Sequence, residues 1–318
     1  MRIGVLTSGG DAPGMNAALR AVVRRAISAG RQVYGIRRGY DGLLDGEIHP
    51  MDVSSVADII HRGGTILHTA RSERFQQSEG QDLAAARLKG AGIEGLVVIG
   101  GEGSFKGMTE LCKRGISAVG VPATIDNDIA YTDYSIGFDT AVNTGLEAVN
   151  RLRDTATSHE RIFVVETMGR HSGHIALAVG LAGGAESILV PERPAKIGEV
   201  CTRLKRGLAR GKVHSIIIVA EGAAKGFEVA QEVQACMGSE IRVTVLGHVQ
   251  RGGTPTAFDR LLASRLGARA VDALCQGCSN VMAGVSGTGL IVTPMDKVLA
   301  EKKEIDMDVY TLAEDLAR

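Results

Sequence analysis

Apolar residues along the chain gather in short blocks, at 3–6, 32–36, 95–99, 117–121, 162–166, 187–190, 215–220, 242–246 and 290–293. Blocks that are apolar at successive rather than alternate positions predict strands buried on both faces of a parallel sheet. Between them the spacing shifts to the i, i+3, i+4 recurrence of one helix face, which predicts helices over 15–29, 105–114, 140–155, 197–210 and 258–274. Strands and helices in alternation predict an α/β fold with helices on both faces of a parallel sheet. A turn-rich stretch ending at Gly137 puts a boundary near residue 138, and neither a low-complexity linker nor a short repeat interrupts the chain.

The length, 318 residues, exceeds what one hydrophobic core comfortably serves, so two domains are expected. Lys plus Arg and Asp plus Glu stand at 36 each, which removes the bulk electrostatic case for a nucleic acid or a membrane surface as partner. No apolar run reaches transmembrane length and the first residues read as a strand, so a soluble cytoplasmic protein is expected. Five cysteines with scattered spacing suggest reduced thiols. Cys275 and Cys278 form a Cys-x-x-Cys pair, but no second pair or His-x-His partner completes a zinc site.

The chemistry concentrates at strand ends. Thr7-Ser8-Gly9-Gly10-Asp11-Ala12-Pro13-Gly14 joins the first strand to the first helix, where free N–H groups and the helix dipole favour an anion; a plain tight turn is the alternative. Gly100-Gly101-Glu102-Gly103-Ser104-Phe105-Lys106-Gly107 repeats that arrangement and partly imitates a dinucleotide fingerprint. The next strand ends in Pro122 instead of an acid for a ribose hydroxyl, which counts against NAD. No Walker sequence and no protein-kinase catalytic loop is present. After Pro122 comes Thr124-Ile125-Asp126-Asn127-Asp128, whose carboxylates suit a metal or a hydroxyl proton, although Asn and Asp are also ordinary turn residues. Arg71, after the Gly63-Gly64-Thr65 turn, offers a cation for charge building on a transferring phosphoryl group.

Taken in order, Ser8 to Asn16, Arg62-Gly63-Gly64-Thr65, Thr124 to Asp128, Met168-Gly169-Arg170 and Leu246 to Gly253 resemble the 6-phosphofructokinases of bacterial, ATP-dependent type over nearly the whole chain. The resemblance implies two parallel-sheet α/β domains with the active site in the cleft between them. Residues 1–137 with about 251–300 would bind ATP, and 138–250 with about 301–318 the sugar phosphate. Asp126 would take the proton from the C1 hydroxyl of fructose 6-phosphate, whose oxygen attacks the γ-phosphate of MgATP. Gly10, Arg71, Thr124, Asp128 and Arg170 would complete the catalytic set. Gly10, Tyr40, Arg71, Ser72, Gly101, Glu102, Gly103, Ser104 and Gly107 would contact ATP. Thr124, Asp126, Arg161, Met168, Gly169, Arg170, Glu221, Arg242, His248 and Arg251 would hold the sugar phosphate, with Arg161 and Arg242 reaching in from a neighbouring subunit of a homotetramer.

Two departures from that family pattern concern the donor and the metal. Pyrophosphate-dependent relatives tend to carry Asp and Lys where this chain has Gly103 and Ala123, so ATP is the expected donor; Ala123 itself replaces the usual Gly, a methyl that would narrow the pocket slightly. Glu102 stands where Asp is usual, and with Asp128 it is the expected Mg²⁺ contact. A pyrophosphate-dependent enzyme and a catalytically idle nucleotide-binding regulator are the alternatives. Arg20, Arg24, Arg153, Glu186, Arg210, Lys212 and His214 match a site for ADP or phosphoenolpyruvate as effector. Val53 and Ser54 replace an Arg and an aromatic there, so weak allosteric control is expected.

Overall fold

The computed structural model describes residues 1–317, and their contacts form two compact units. Along the chain run β1 (Arg2–Thr7), α1 (Met15–Ser28), β2 (Gln32–Ile36), α2 (Gly39–Asp45), β3 (Ile48–Met51), α3 (Glu73–Gln76), α4 (Ser78–Gly90), β4 (Gly95–Gly100), α5 (Glu102–Lys113) and β5 (Ser117–Pro122). Then come α6 (Phe138–His159), β6 (Ile162–Thr167), α7 (His174–Ala182), β7 (Ser187–Leu189), α8 (Ile197–Ala209), β8 (Ser215–Ala220), α9 (Gly226–Met237) and β9 (Ile241–Val245). The chain closes with α10 (Ala257–Cys275), β10 (Val281–Ser286), β11 (Gly289–Pro294), α11 (Met295–Ala300) and α12 (Met307–Leu316).

The first unit holds residues 1–125, 129–140 and 251–303 around a seven-stranded sheet of order β11-β10-β5-β4-β1-β2-β3. Its five central strands are parallel, and both outer pairs, β10 with β11 and β2 with β3, are antiparallel. The block at 290–293, expected to be a parallel strand, is therefore an antiparallel edge strand, and β3 and β10 are strands the pattern did not announce. β4 is buried at every position, as a strand covered on both faces must be. One core cluster packs Leu96, Val98, Phe105, Met108, Leu111 and Met282 with Leu43 and Tyr40.

Asp259, on α10 and 0% exposed, accepts from Gly137 N (2.9 Å), Thr140 N (2.8 Å) and Thr140 Oγ1 (2.6 Å). A carboxylate there satisfies free donors at the start of α6 and complements its dipole. Burial raises its pKa above the usual carboxylate value, and these bonds pull it back.

The second unit holds 126–128, 141–250 and 304–318 around a four-stranded parallel sheet of order β7-β8-β6-β9. β8, Ser-Ile-Ile-Ile-Val-Ala, is wholly buried, and Val164, Ile217, Val219, Leu204, Val229 and Val233 form the core around it. The units part at 140/141 along α6, and the short run 126–128 groups with the second unit although its strand, β5, lies in the first.

The expectation of reduced thiols fails at Cys201 and Cys236, which form a disulfide between α8 and α9 with Cα atoms 6.4 Å apart. Their separation of 35 residues gave no sign of this, because only the packing of the two helices makes them neighbours. Cys112, Cys275 and Cys278 are free. A loop of this length implies that the bond contributes about 3–4 kcal/mol through the unfolded chain. Guanidinium unfolding should show a lower midpoint in reductant, and a Cys201→Ser/Cys236→Ser double variant should not respond to reductant at all.

Candidate functional site

In the first unit the sheet order sets three loops side by side. β5, β4 and β1 are adjacent and parallel, so the turns after Thr7, Gly100 and Pro122 emerge at one edge. The ladder continues past the strand ends, with Ser8 N–H donating to Ile99 O (3.0 Å) and Ala123 N–H to Gly100 O (2.9 Å). Gly9 and Gly14 take φ of +84° and +107°, which glycine adopts without strain. Gly9 O accepts from Thr69 Oγ1 at 2.7 Å. Gly10 is exposed, and any side chain there would collide with the Arg251 guanidinium, whose Nη1 also donates to Asp11 O at 3.4 Å. Arg251, expected among the sugar-phosphate residues, thus lies over the first glycine turn.

The second glycine turn is mostly helix. α5 begins at Glu102, three residues earlier than the apolar spacing indicated, with Gly101 as its N-cap and no side-chain cap. Glu102, Gly103 and Ser104 therefore occupy the first turn, where N–H groups are free and an anion is favoured. The Ser104 hydroxyl is buried, faces the Cβ positions of Gly9 (3.2 Å) and Gly100 (2.6 Å), and has no hydrogen-bond partner among the described residues. Glu102 pairs with Lys106 one turn on at 2.5 Å, both partly exposed, an ion pair of small energy that leaves the carboxylate reachable. A side chain at Gly103 would meet no atom within 4 Å. Ala123 is 1% exposed, directly after β5.

Three expected ATP contacts have other work. Tyr40 is 6% exposed and stacked on Phe75 with centroids 4.1 Å apart, and its hydroxyl donates to Ser104 O at 2.6 Å. Burial raises its pKa well above the usual phenol value, and its ring presents no face to a ligand: it is a core residue. Gly107 is required by that stack, because a Cβ would stand 2.9 Å from both rings. Ser72 caps α3 through Phe75 N (3.3 Å) and donates to Asp41 Oδ1 (3.0 Å). Arg71 is exposed. Asn16, quoted from sequence without a role, is 1% exposed and grips the Arg62-Gly63-Gly64-Thr65 loop, donating to Arg62 O (3.1 Å) and Gly63 O (3.2 Å) and accepting from Ile66 N (2.8 Å). Thr124 lies near Gly101 and its carbonyl accepts from Ser135 Oγ at 2.7 Å.

In the second unit, Asp126 and Asp128 flank Asn127, which is buried with φ of +51°, a left-handed conformation that Asn tolerates. The acids are partly exposed on either side of that left-handed residue. Asp126 O accepts from Ser172 Oγ at 2.9 Å. Ser172 belongs to the loop after β6 that also carries Met168, Gly169 and Arg170, with Gly169 at φ +129° and Arg170 exposed. That loop is tied to the one after β8, since Glu221 N donates to Thr167 O (2.9 Å) and Gly222 N to Gly169 O (3.1 Å). β6 and β9 pair Phe163 with Arg242, which brings Arg161 and Arg242 to one carboxylate, Glu240, at 3.9 and 3.0 Å. His248 is exposed beyond β9.

The expected effector residues divide. Arg20 and Arg24 lie on α1 in the first unit, and the buried Arg24 Nε has no partner among the described residues. In the second unit Arg153 donates to Gly183 O and Gly184 O. Glu186, 5% exposed, accepts from Ile216 N at 2.5 Å and pairs with Lys212, while Arg210 is exposed and His214 half-buried. Val53 is 44% exposed and supplies no charge. Among the described residues no group of three His, Cys, Asp or Glu is arranged to hold a metal, and no helix is long and apolar enough to cross a membrane.

The phosphofructokinase family pattern matches residues 2–274. The ATP-dependent 6-phosphofructokinase of Halalkalibacterium halodurans is 57% identical over 316 residues, 99% of each chain. That of Natranaerobius thermophilus is likewise 57% identical over 99% of each. Phosphofructokinase from Saccharomyces cerevisiae superposes on 99% of this chain with a TM-score of 0.90 at 36% identity, and this chain spans 48% of that longer one. With a family pattern over most of its length and relatives of that identity across nearly all of it, the chain belongs to the phosphofructokinase family.

Proposed function

We propose that this enzyme transfers the γ-phosphoryl group of MgATP to the C1 hydroxyl of fructose 6-phosphate, giving fructose 1,6-bisphosphate and ADP in cytoplasmic glycolysis. The observation that carries the reading is 57% identity to each of two relatives named ATP-dependent 6-phosphofructokinase, over 99% of the length of both chains. Asp126 serves as the base, because an alcohol of high pKa needs a carboxylate within hydrogen-bond reach as its oxygen bonds to phosphorus. Gly10 N–H, Arg71, Thr124 and Arg170 stabilise the equatorial oxygens, and positioning with charge supplies most of the acceleration. Gly101 to Ser104 receive the nucleotide's phosphates through the free N–H groups that open α5. Met168 to Arg170, Glu221, His248 and Arg251 hold the sugar phosphate, with Arg161 and Arg242 acting on a neighbouring subunit's substrate in a homotetramer.

Glu102 and Asp128 are the oxygen donors that would hold Mg²⁺, which is ordinarily bound by one or two carboxylates together with phosphate oxygens and so needs no all-protein cage. When bound, the ion neutralises charge on the phosphate oxygens.

A coupled ADP-release assay with fructose 6-phosphate tests the reading. Turnover should appear with MgATP and not with pyrophosphate, and Asp126→Asn should lower kcat on the order of a thousandfold at near-parental substrate KM. Binding without turnover would instead support an idle regulator. Because Glu102 reaches one methylene further than Asp, Glu102→Asp should shift the magnesium concentration for half-maximal rate, and superimposable titrations would sink that role. Val53 and Ser54 leave the effector site one charge-assisted phosphate contact short, worth about 1.5–3 kcal/mol. Phosphoenolpyruvate should inhibit only weakly, and cooperative inhibition at micromolar levels would contradict this.

A further inference from the structure

In the Gly247–Arg251 turn, His248 and Val249 are exposed while Gln250 between them and Arg251 is 0% exposed. Its Oε1 accepts from Met168 N at 2.7 Å, and its Nε2 donates to Ala141 O at 3.3 Å. An amide N–H only donates and a carbonyl only accepts, so these partners fix which way the carboxamide faces. Met168 is the first residue beyond β6, and Gln250 supplies its N–H with the acceptor that the sheet does not. Immediately after it the chain turns at Gly169, presents Arg170, and reaches Ser172, which holds Asp126 O. Gly145 on α6 makes room, since a Cβ there would stand 3.4 Å from Nε2 and 2.7 Å from Val179.

We propose that Gln250 is a positioning residue for the sugar phosphate: by anchoring Met168 N to α6 it sets the Met168-Gly169-Arg170 loop, and so governs substrate affinity without touching substrate. This rests on the phosphofructokinase reading above. Removing the carboxamide strands a buried N–H and frees the loop, whereas residues that serve the nucleotide are unaffected.

Steady-state kinetics on the full-length enzyme test it. Gln250→Ala should raise the KM for fructose 6-phosphate about tenfold, with the KM for MgATP and kcat changed by less than about twofold. Gln250→Glu keeps the acceptor for Met168 N but sets a second oxygen against Ala141 O unless it is protonated. Its KM for fructose 6-phosphate should therefore fall toward the parental value between about pH 8 and about pH 6, a trend absent from Gln250→Ala. Equal loss for both substrates, an unchanged Gln250→Ala, or a pH-independent Gln250→Glu would overturn the inference. Should Gln250→Ala not fold, the pH series of Gln250→Glu decides alone. A parent inactive on fructose 6-phosphate removes the functional reading and this one together, whereas an active parent with indifferent variants removes only this one.

Discussion

Parallel register is the constraint on which the first unit depends. Strands that run the same way must end on the same side, so β1, β4 and β5, paired as Thr7 with Ile99 and Gly100 with Pro122, deliver their following turns to a single edge. Helix N-termini then point at that edge, with Gly14 capping α1 and Gly101 capping α5 and neither using a side chain for the purpose. Free backbone donors gather there as a result of topology alone, before any particular side chain is chosen. The tight contacts follow: Gly63 lies against the backbone of Gly253, a closure that a Cβ would forbid, and Gly10 against the Arg251 guanidinium, which a Cβ would displace.

The second unit reaches comparable order by another route. Its loops are tied by buried polar side chains reaching backbone: Gln250 to Met168, Ser172 to Asp126, Glu166 to Gly226 N at 2.7 Å, and Glu186 to Ile216 N. Each such bond adds little net stability, but its loss leaves a backbone donor, or at Asp126 an acceptor, stranded at a cost of about 1–3 kcal/mol. That asymmetry makes the loops sensitive to single substitutions, since a four-stranded sheet offers few ladder positions to hold them otherwise.

Much of this was legible in the chain because burial on both faces writes an unbroken apolar run. The block at 215–220 coincides with β8 for that reason, whereas 32–36 coincides with β2 although Gln32 is exposed and Tyr34 half-buried. β10 escaped notice since Met282, Ala283, Gly284 and Ser286 carry little strand preference, and β3 because Pro50 breaks the block; both depend on their neighbours. Glycine spacing located the phosphate-type turns but could not say that the second is a helix start, because glycine disguised the first turn of α5. The stack of Tyr40 on Phe75 and the close fit of Gly107 against both rings join residues far apart in the chain, so neither shows in the local pattern. The bonded cysteines and the anchoring roles of Asn16, Ser172, Gln250 and Asp259 arise from distant pairings, which no local pattern encodes.

Gly103 lies within the first turn of α5, where nothing in the polypeptide asks for it. Glycine weakens a helix by about 0.5–1 kcal/mol relative to alanine, and space is open in the direction a side chain would take. Left bare in that direction, the N–H groups that open α5 stay uncovered by side chains, so the start of the helix can be approached at backbone distance.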